Sequence, residues 1–455
     1  MIPRITWIEL RRSTAPVLGV LVLLLTGYLL YLSHGPWTHD QTAWTRQWDS
    51  LAIWSRQLLM FLCPVALGLG AWQGRRDHRS RMIELLTTVP RPGWQRFTPT
   101  VLAIGLALLG GFLLILLPGA IQVAGSSTYQ HLGWLPVLGV GLLALVGCGW
   151  LGMGLGRLLP SVLTPPLLAV AGLAGVIVAM STPNSGVVTG TLASQRSALL
   201  SPGLKNVTDV FTTVAARADA GQTVWFAGLA ATGLALLVVN RASARLVALL
   251  PAVVAAVVAL AIVPATLTQI YVPDNGASAL TCASNVCVSQ VHRDQLAALT
   301  PPAQQALAKL AILPNAPTTV VEQNQSWTVQ TARQPGVVLA DFADPEVARY
   351  GTLRAPDQVE FALLEGAGTP SCSGTHYDQV VDQRELAARA VAASWLLGRF
   401  EQSIDPYLQS PFAQSAWQGL TRLPAAEQRT RIIALRNASL TCQGDLLSVL
   451  TGGAQ

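Results

Sequence analysis

The residues most able to do chemistry are few and scattered. Six histidines stand at His34, His39, His78, His131, His292 and His376, without the H-E-x-x-H spacing that places two zinc ligands on one helix face. No G-x-S-x-G occurs, so the strained turn that presents a hydrolase serine is missing. A P-loop needs Gly-Lys ahead of Ser or Thr to reach nucleotide phosphates, yet the two lysines follow Leu204 and Ala308, as Lys205 and Lys309. The chain therefore carries no P-loop ATPase of its own. His292-Arg-Asp294 and His376 with Asp378 read as surface polar residues. The carboxylates of Asp341, Asp344 and Glu346 lack the glycine and spacing of a calcium loop. No metal or cofactor is expected in this chain, and no catalytic residue.

Cysteine gives a firmer signal. Cys63 and Cys148 lie in apolar runs, where a thiol packs as a small apolar side chain. Cys282, Cys287, Cys372 and Cys442 lie together in the last part of the chain, an even number that suggests two disulfides in an oxidising space. Of the three possible pairings, Cys282–Cys287 with Cys372–Cys442 is preferred, as a local loop and a long-range staple.

The elements around these residues follow from composition. Of 455 residues, 51% are hydrophobic and only 11% charged, less than half the share of a soluble domain. The net +6 is unevenly divided: residues 1–265 hold 17 basic and 7 acidic side chains, residues 266–455 hold 12 and 16. Two unlike domains, 1–265 and 266–455, are expected.

Seven stretches have the roughly 20 apolar residues that cross a bilayer. They are Pro16–Leu32, Leu51–Trp72, Val101–Ala124, Trp134–Gly156, Ser161–Ser181, Val224–Asn240 and Leu246–Ala265. Arg56, inside the second, is read as snorkelling to the interface. Ile5, Trp7, Ile8 and Leu10 among Arg4, Glu9, Arg11 and Arg12 make the N-terminus an amphipathic helix or a basic flank. With the N-terminus in the cytoplasm, twelve basic residues of the short loops fall inside. Seven crossings then deliver 266–455 to the outside. That domain reads as mainly helical, over Thr300–Leu313, Asp382–Gln402, Phe412–Leu420 and Ala425–Leu435. Strands are expected at Thr318–Glu322, Trp327–Thr331 and Val337–Phe342. The basic cluster Arg75–Arg81 answers to the positive-inside rule and anionic lipid, not to nucleic acid.

The loop after the second apolar run, "RRDHRSRMIELLTTVPRPGWQR", has a short apolar face of Met82, Ile83, Leu85, Leu86 and Val89, ended by Pro90 and Pro92-Gly93. With the start "WIELRR" and the order of elements, it resembles the permease subunits of type-2 ABC exporters over about residues 1–240. The resemblance implies an α-helical polytopic membrane protein with a six-helix exporter core. The seventh helix and the α+β extracytoplasmic domain depart from that pattern and resemble actinobacterial permeases. By position, Arg81, Glu84, Leu85, Leu86, Pro90 and Arg91 match the segment that docks an ABC ATP-binding subunit, with Trp94 beside them. ATP and Mg would belong to that partner, and a second permease copy or paralogue would complete a dimer. The substrate expected is a hydrophobic drug, lipid or peptide. The alternative is a non-transporting polytopic anchor presenting a binding or sensor domain.

Overall fold

A computed structural model describes residues 2–12, 15–29, 46–79, 93–180, 196–204, 210–239, 242–324, 333–342, 344, 347–349, 352–372 and 382–453. The chain forms two compact units, Met1–Pro273 and Asp274–Gln455. The division follows β1 (Thr212–Val214) and β2 (Tyr271–Pro273), an antiparallel pair that keeps the chain through Pro273 with the first unit.

The first unit is helical: α1 (Ile2–Arg12), α2 (Ala15–Gly27), α3 (Trp48–Gly74), α4 (Gly93–Ser126), α5 (Trp134–Leu158), α6 (Thr164–Met180), α7 (Ala216–Val238) and α8 (Leu250–Ile262), with a short helix Ala242–Val247 before the last. Five described helices are long and apolar enough to cross a membrane: α3, α4, α5, α7 and the run Ser243–Ile262. The protein is thus a helical, polytopic membrane protein. Within the described residues, α2 and α6 are shorter apolar helices.

Glycine sets the packing of α5 on its neighbours. A Cβ at Gly152 would lie 2.0 Å from the Leu67 carbonyl oxygen, and one at Gly70 would lie 2.1 Å from that of Gly149. Only glycine permits α3 and α5 to approach this closely, as in small-residue membrane interfaces. Gly154 meets Gly233 of α7 in the same way, so α5 is wedged between α3 and α7.

In the second unit, β3 (Leu280–Ala283), β4 (Val286–Ser289), β5 (Thr319–Glu322) and β6 (Val337–Ala340) form a sheet in that order, antiparallel for the first pair and parallel after it. A two-residue ladder, β7 (Ala348–Arg349) with β8 (Thr352–Leu353), follows. The helices are α9 (Leu296–Leu310), α10 (Pro356–Leu364), α11 (Gln383–Leu397), α12 (Ala413–Thr421), α13 (Ala425–Thr441) and α14 (Leu446–Thr451). Val286, Val288, Val320 and Val338 from the strands meet Leu299, Leu310, Val391 and Leu435 in one core. The expected strand Trp327–Thr331 lies outside the described residues, while the β3–β4 hairpin and α10 and α14 are additions to the sequence reading. Cys282 pairs with Cys287 across β3 and β4, and Cys372 with Cys442, the preferred arrangement.

Candidate functional site: a buried arginine node

Arg56 does not snorkel. It is fully buried on α3, where its Nε and Nη2 donate to the Pro202 carbonyl at 3.2 and 2.9 Å, and Nη2 also donates to Gln222 Oε1 at 2.9 Å. Its Nη1 lies 3.8 Å from Asp219 Oδ1, a charge contact too long for a hydrogen bond. Gln222 and Asp219 come from the first two turns of α7.

These side chains serve an irregular segment. Around a single 3-10 turn at Ala198–Leu200, the Leu199 and Ser201 carbonyls accept from Gln222 Nε2 at 2.9 and 3.4 Å, and that of Leu200 accepts from Trp225 Nε1 at 2.9 Å. With Pro202, four consecutive carbonyls are taken by side chains of α3 and α7. Non-helical backbone among membrane helices is tolerated where protein satisfies it, and this node does so. The arrangement also explains how one buried cation is accommodated: Nε and Nη2 meet carbonyl and amide oxygens, and the Asp219 carboxylate supplies an opposite charge at 3.8 Å from Nη1 without a hydrogen bond.

At the same end of α3, Asp49 Oδ2 lies 3.2 Å from His131 Nε2, and Asp49 Oδ1 accepts from Thr213 at 3.3 Å. His131 Nδ1 accepts from the Gly133 N–H at 3.1 Å, which places the neutral ring's proton on Nε2, facing Asp49. Trp48 stacks on Trp134 at 4.9 Å and donates to Gln130. The turn between α4 and α5 is thereby clasped to the start of α3.

The other end of the bundle is basic. Arg75 and Arg76 follow α3, Arg96 stands in the first turn of α4, and Arg157 lies in the last turn of α5 over the Phe97 ring. Arg76 pairs with Glu9 of α1 at 2.9 Å. The docking candidates Arg81, Glu84, Leu85, Leu86, Pro90 and Arg91 lie in the 80–92 stretch of the sequence, outside the described residues. Trp94, at its far border, is 57% exposed.

The second unit has polar clusters of a different kind. His292 Nδ1 lies 2.6 Å from Glu322 Oε1 and 3.5 Å from Ser289 Oγ, and its ring stacks on Phe342. A nucleophile relay needs serine and carboxylate on opposite ring nitrogens. Here both meet the same nitrogen, so the trio holds β4, β5 and the following turn together. Beside Cys372–Cys442 lies a cavity of about 280 Å³ bordered by Asp382, Glu385 and Asp445. Each carboxylate is engaged: Glu385 accepts from Ser371 and the Cys372 N–H, Asp382 caps α11, and Asp445 pairs with Arg384, whose hydrogen bond lowers its pKa.

Sequence reading missed the partners of Arg56 because it began the sixth apolar run at Val224. Asp219, Gln222 and Trp225 at three-residue spacing carry a helical signal that extends that run backwards. No family model matches the chain, and neither curated proteins nor solved structures give a match.

Proposed function

We propose that this chain is the membrane-spanning permease subunit of an ATP-driven exporter, with ATP hydrolysed in a partner chain. The observation that carries the reading is the join at the basic end: Glu9 of α1 pairs with Arg76 in the short helix Arg76–Arg79, which follows α3 and leads in sequence to residues 80–92. A force on the loop would reach α3, and through the close glycine contacts of Gly70 and Gly152 it would reach α5 and α7. The absence of any Gly-Lys in the sequence makes a separate energy source necessary. In this proposal the basic end faces the cytoplasm and 274–455 lies outside, where both disulfides would form.

The test is assembly. The adjacent reading frames are searched for a P-loop ATPase, the full chain is co-expressed with the one found, and Glu84→Ala and Leu85→Ala are compared with the unaltered protein. Loss of co-purification and of coupled ATP hydrolysis is expected. Unchanged assembly would refute the docking role, and the absence of a neighbouring ATPase gene would favour an anchor that presents the second unit. For sidedness, a reporter enzyme active only outside the cytoplasm, fused after residue 300, is expected to be active; an inactive fusion refutes the orientation.

A further inference from the structure

α1 shows two apolar faces, and the bundle uses only one. Thr6 is buried and Leu10 packs into the core cluster, while Trp7 and Ile8 are each 54% exposed. Arg11, one turn after Trp7, lies with its guanidinium 4.7 Å from the Trp7 ring centroid. Glu9 points elsewhere, to Arg76, so its charge is already matched. Among the described residues no carboxylate pairs with Arg11. A cation held over an indole ring spends no N–H donor on a hydrogen bond there, and the guanidinium fork fits phosphate oxygens.

The surroundings point the same way. Trp72 in the last turn of α3 is 42% exposed and Trp94 in the first turn of α4 is 57% exposed, so three exposed tryptophans ring the end that also carries Arg75, Arg76 and Arg96. Tryptophan collects at the headgroup level of a bilayer, and basic side chains there attract anionic lipid.

We propose that the outward face of α1, with Trp7 and Ile8 in the acyl boundary and Arg11 on a headgroup phosphate, is a docking site for anionic phospholipid. Charge complementarity selects this occupant: the face is apolar and carries an unmatched cation, which suits an anionic leaflet and does not suit a zwitterionic one equally well. The proposal requires only that the protein is membrane-embedded and stands apart from the exporter reading.

The experiment uses the full chain in nanodiscs of phosphatidylcholine with phosphatidylglycerol, with bromine placed on the acyl chains of one lipid or the other. The difference between the unaltered protein and Trp7→Phe isolates one of thirteen tryptophans. Stronger quenching of Trp7 by brominated phosphatidylglycerol is expected, together with a roughly fivefold fall in that preference for Arg11→Ala, since one basic residue near an anionic surface contributes about 1 kcal/mol. Arg11→Lys should retain most of the preference, because the charge remains. Equal quenching by both lipids overturns the headgroup assignment. An unaltered preference in Arg11→Ala overturns the role of that residue, and no quenching by either lipid shows that Trp7 meets protein instead. Arg11 is exposed, so its replacement leaves the fold intact; unchanged elution and circular dichroism serve as the check.

Discussion

Replacing Arg56 by methionine tests whether the node fixes the 196–204 segment. The change keeps an unbranched apolar stem and removes three hydrogen bonds, two to Pro202 and one to Gln222. It leaves the Pro202 carbonyl and Gln222 Oε1 without those donors and Asp219 without its cation. Each buried polar atom left unsatisfied costs about 1–3 kcal/mol, and breaking one side of a buried charge contact costs about 3–5 kcal/mol. A local loss of about 3 kcal/mol is a conservative expectation, equal to a change of a hundredfold or more in an opening equilibrium. Hydrogen exchange of the full chain in detergent reads that opening at the amides of Leu200, Ser201 and Gly203, which bond to Ser197, Ala198 and the Ser201 hydroxyl. Exchange there should accelerate by about that factor in Arg56→Met while the amides of α4 stay as they were. Asp219→Asn should couple to it: at 3.8 Å and an effective dielectric constant of about 20, the charge contact amounts to at most about 4 kcal/mol. The double variant should therefore lose less than the sum of the two single losses. Unaltered exchange at 200–203 in Arg56→Met would show that the segment holds itself, and the node would lose its structural meaning.

Further outcomes follow from the same structure. Adjacent glycines on α4 should separate sharply: a Cβ at Gly110 meets nothing within 4 Å, so Gly110→Ala should be neutral or stabilise by up to about 1 kcal/mol, whereas at Gly111 it would lie 2.3 Å from the Gly19 carbonyl oxygen and should lower the melting temperature of the full chain. Removing Cys372–Cys442, which closes a separation of 70 residues, should cost about 4 kcal/mol by chain entropy, against about 2 kcal/mol for the separation of 5 at Cys282–Cys287; proteolysis of the full chain, mapped to 274–455, would contradict this by showing the opposite order. Burial pushes the Glu365 carboxyl up to about 7, with Arg389 opposing and Asp344 adding to the rise. Because this value is above the unfolded one, the associated stability is present in acid and is lost as pH rises from about 4.5 to about 7, by on the order of 3 kcal/mol. Glu365→Gln should flatten that slope in the second unit, and an unchanged slope would assign it to other groups.

Hydropathy placed the apolar helices well because the bilayer requirement acts on a whole run of about 20 residues and tolerates errors at either end. It failed where a helix continues into polar sequence. α7 begins at Ala216, eight residues before the expected run, because Asp219 and Gln222 face protein instead of water and so need not end the helix. The β3–β4 hairpin escaped notice for a local reason: Ser284 turns the chain with φ of +55°, a conformation that serine seldom signals, so Cys282–Cys287 read as a loop when it is a cross-strand pair. α10 was legible in principle, since Pro356 stands at the first helical turn, where its missing N–H costs nothing. The node could not be read from spacing at all. Arg56, Pro202 and Gln222 are brought together by folding, and a lone arginine in an apolar run is compatible with snorkelling until its partners are seen.

The same device appears independently in the second unit, which gives the arginine content a structural meaning. The bend after α10 runs through Gly366, Ala367 and Gly368 with φ of +58°, +59° and +74°, so its carbonyls point away from any regular ladder. Arg436 donates to the Ala367 carbonyl and to that of Pro335 at 2.8 Å, Arg389 to Thr369 at 2.7 Å, and Arg333 to Pro370 and Ser371 at 2.8 and 2.5 Å. Burial lowers the pKa of Arg333 and of Arg436, yet both start from a value so high that they remain charged. Lysine could not replace them: a single ammonium reaches one point, while the planar fork bridges two carbonyls from separate segments. Arg333 joins Pro370 and Ser371 to Ser439, the two stretches that Cys372–Cys442 also joins. The disulfide and the guanidinium are therefore partly redundant, and their losses should not add. If Arg333→Lys were harmless in the oxidised protein and severe only in Cys372→Ser/Cys442→Ser, arginine would be acting as a non-covalent staple; equal effects in both backgrounds would show that its bonds hold nothing the disulfide shares.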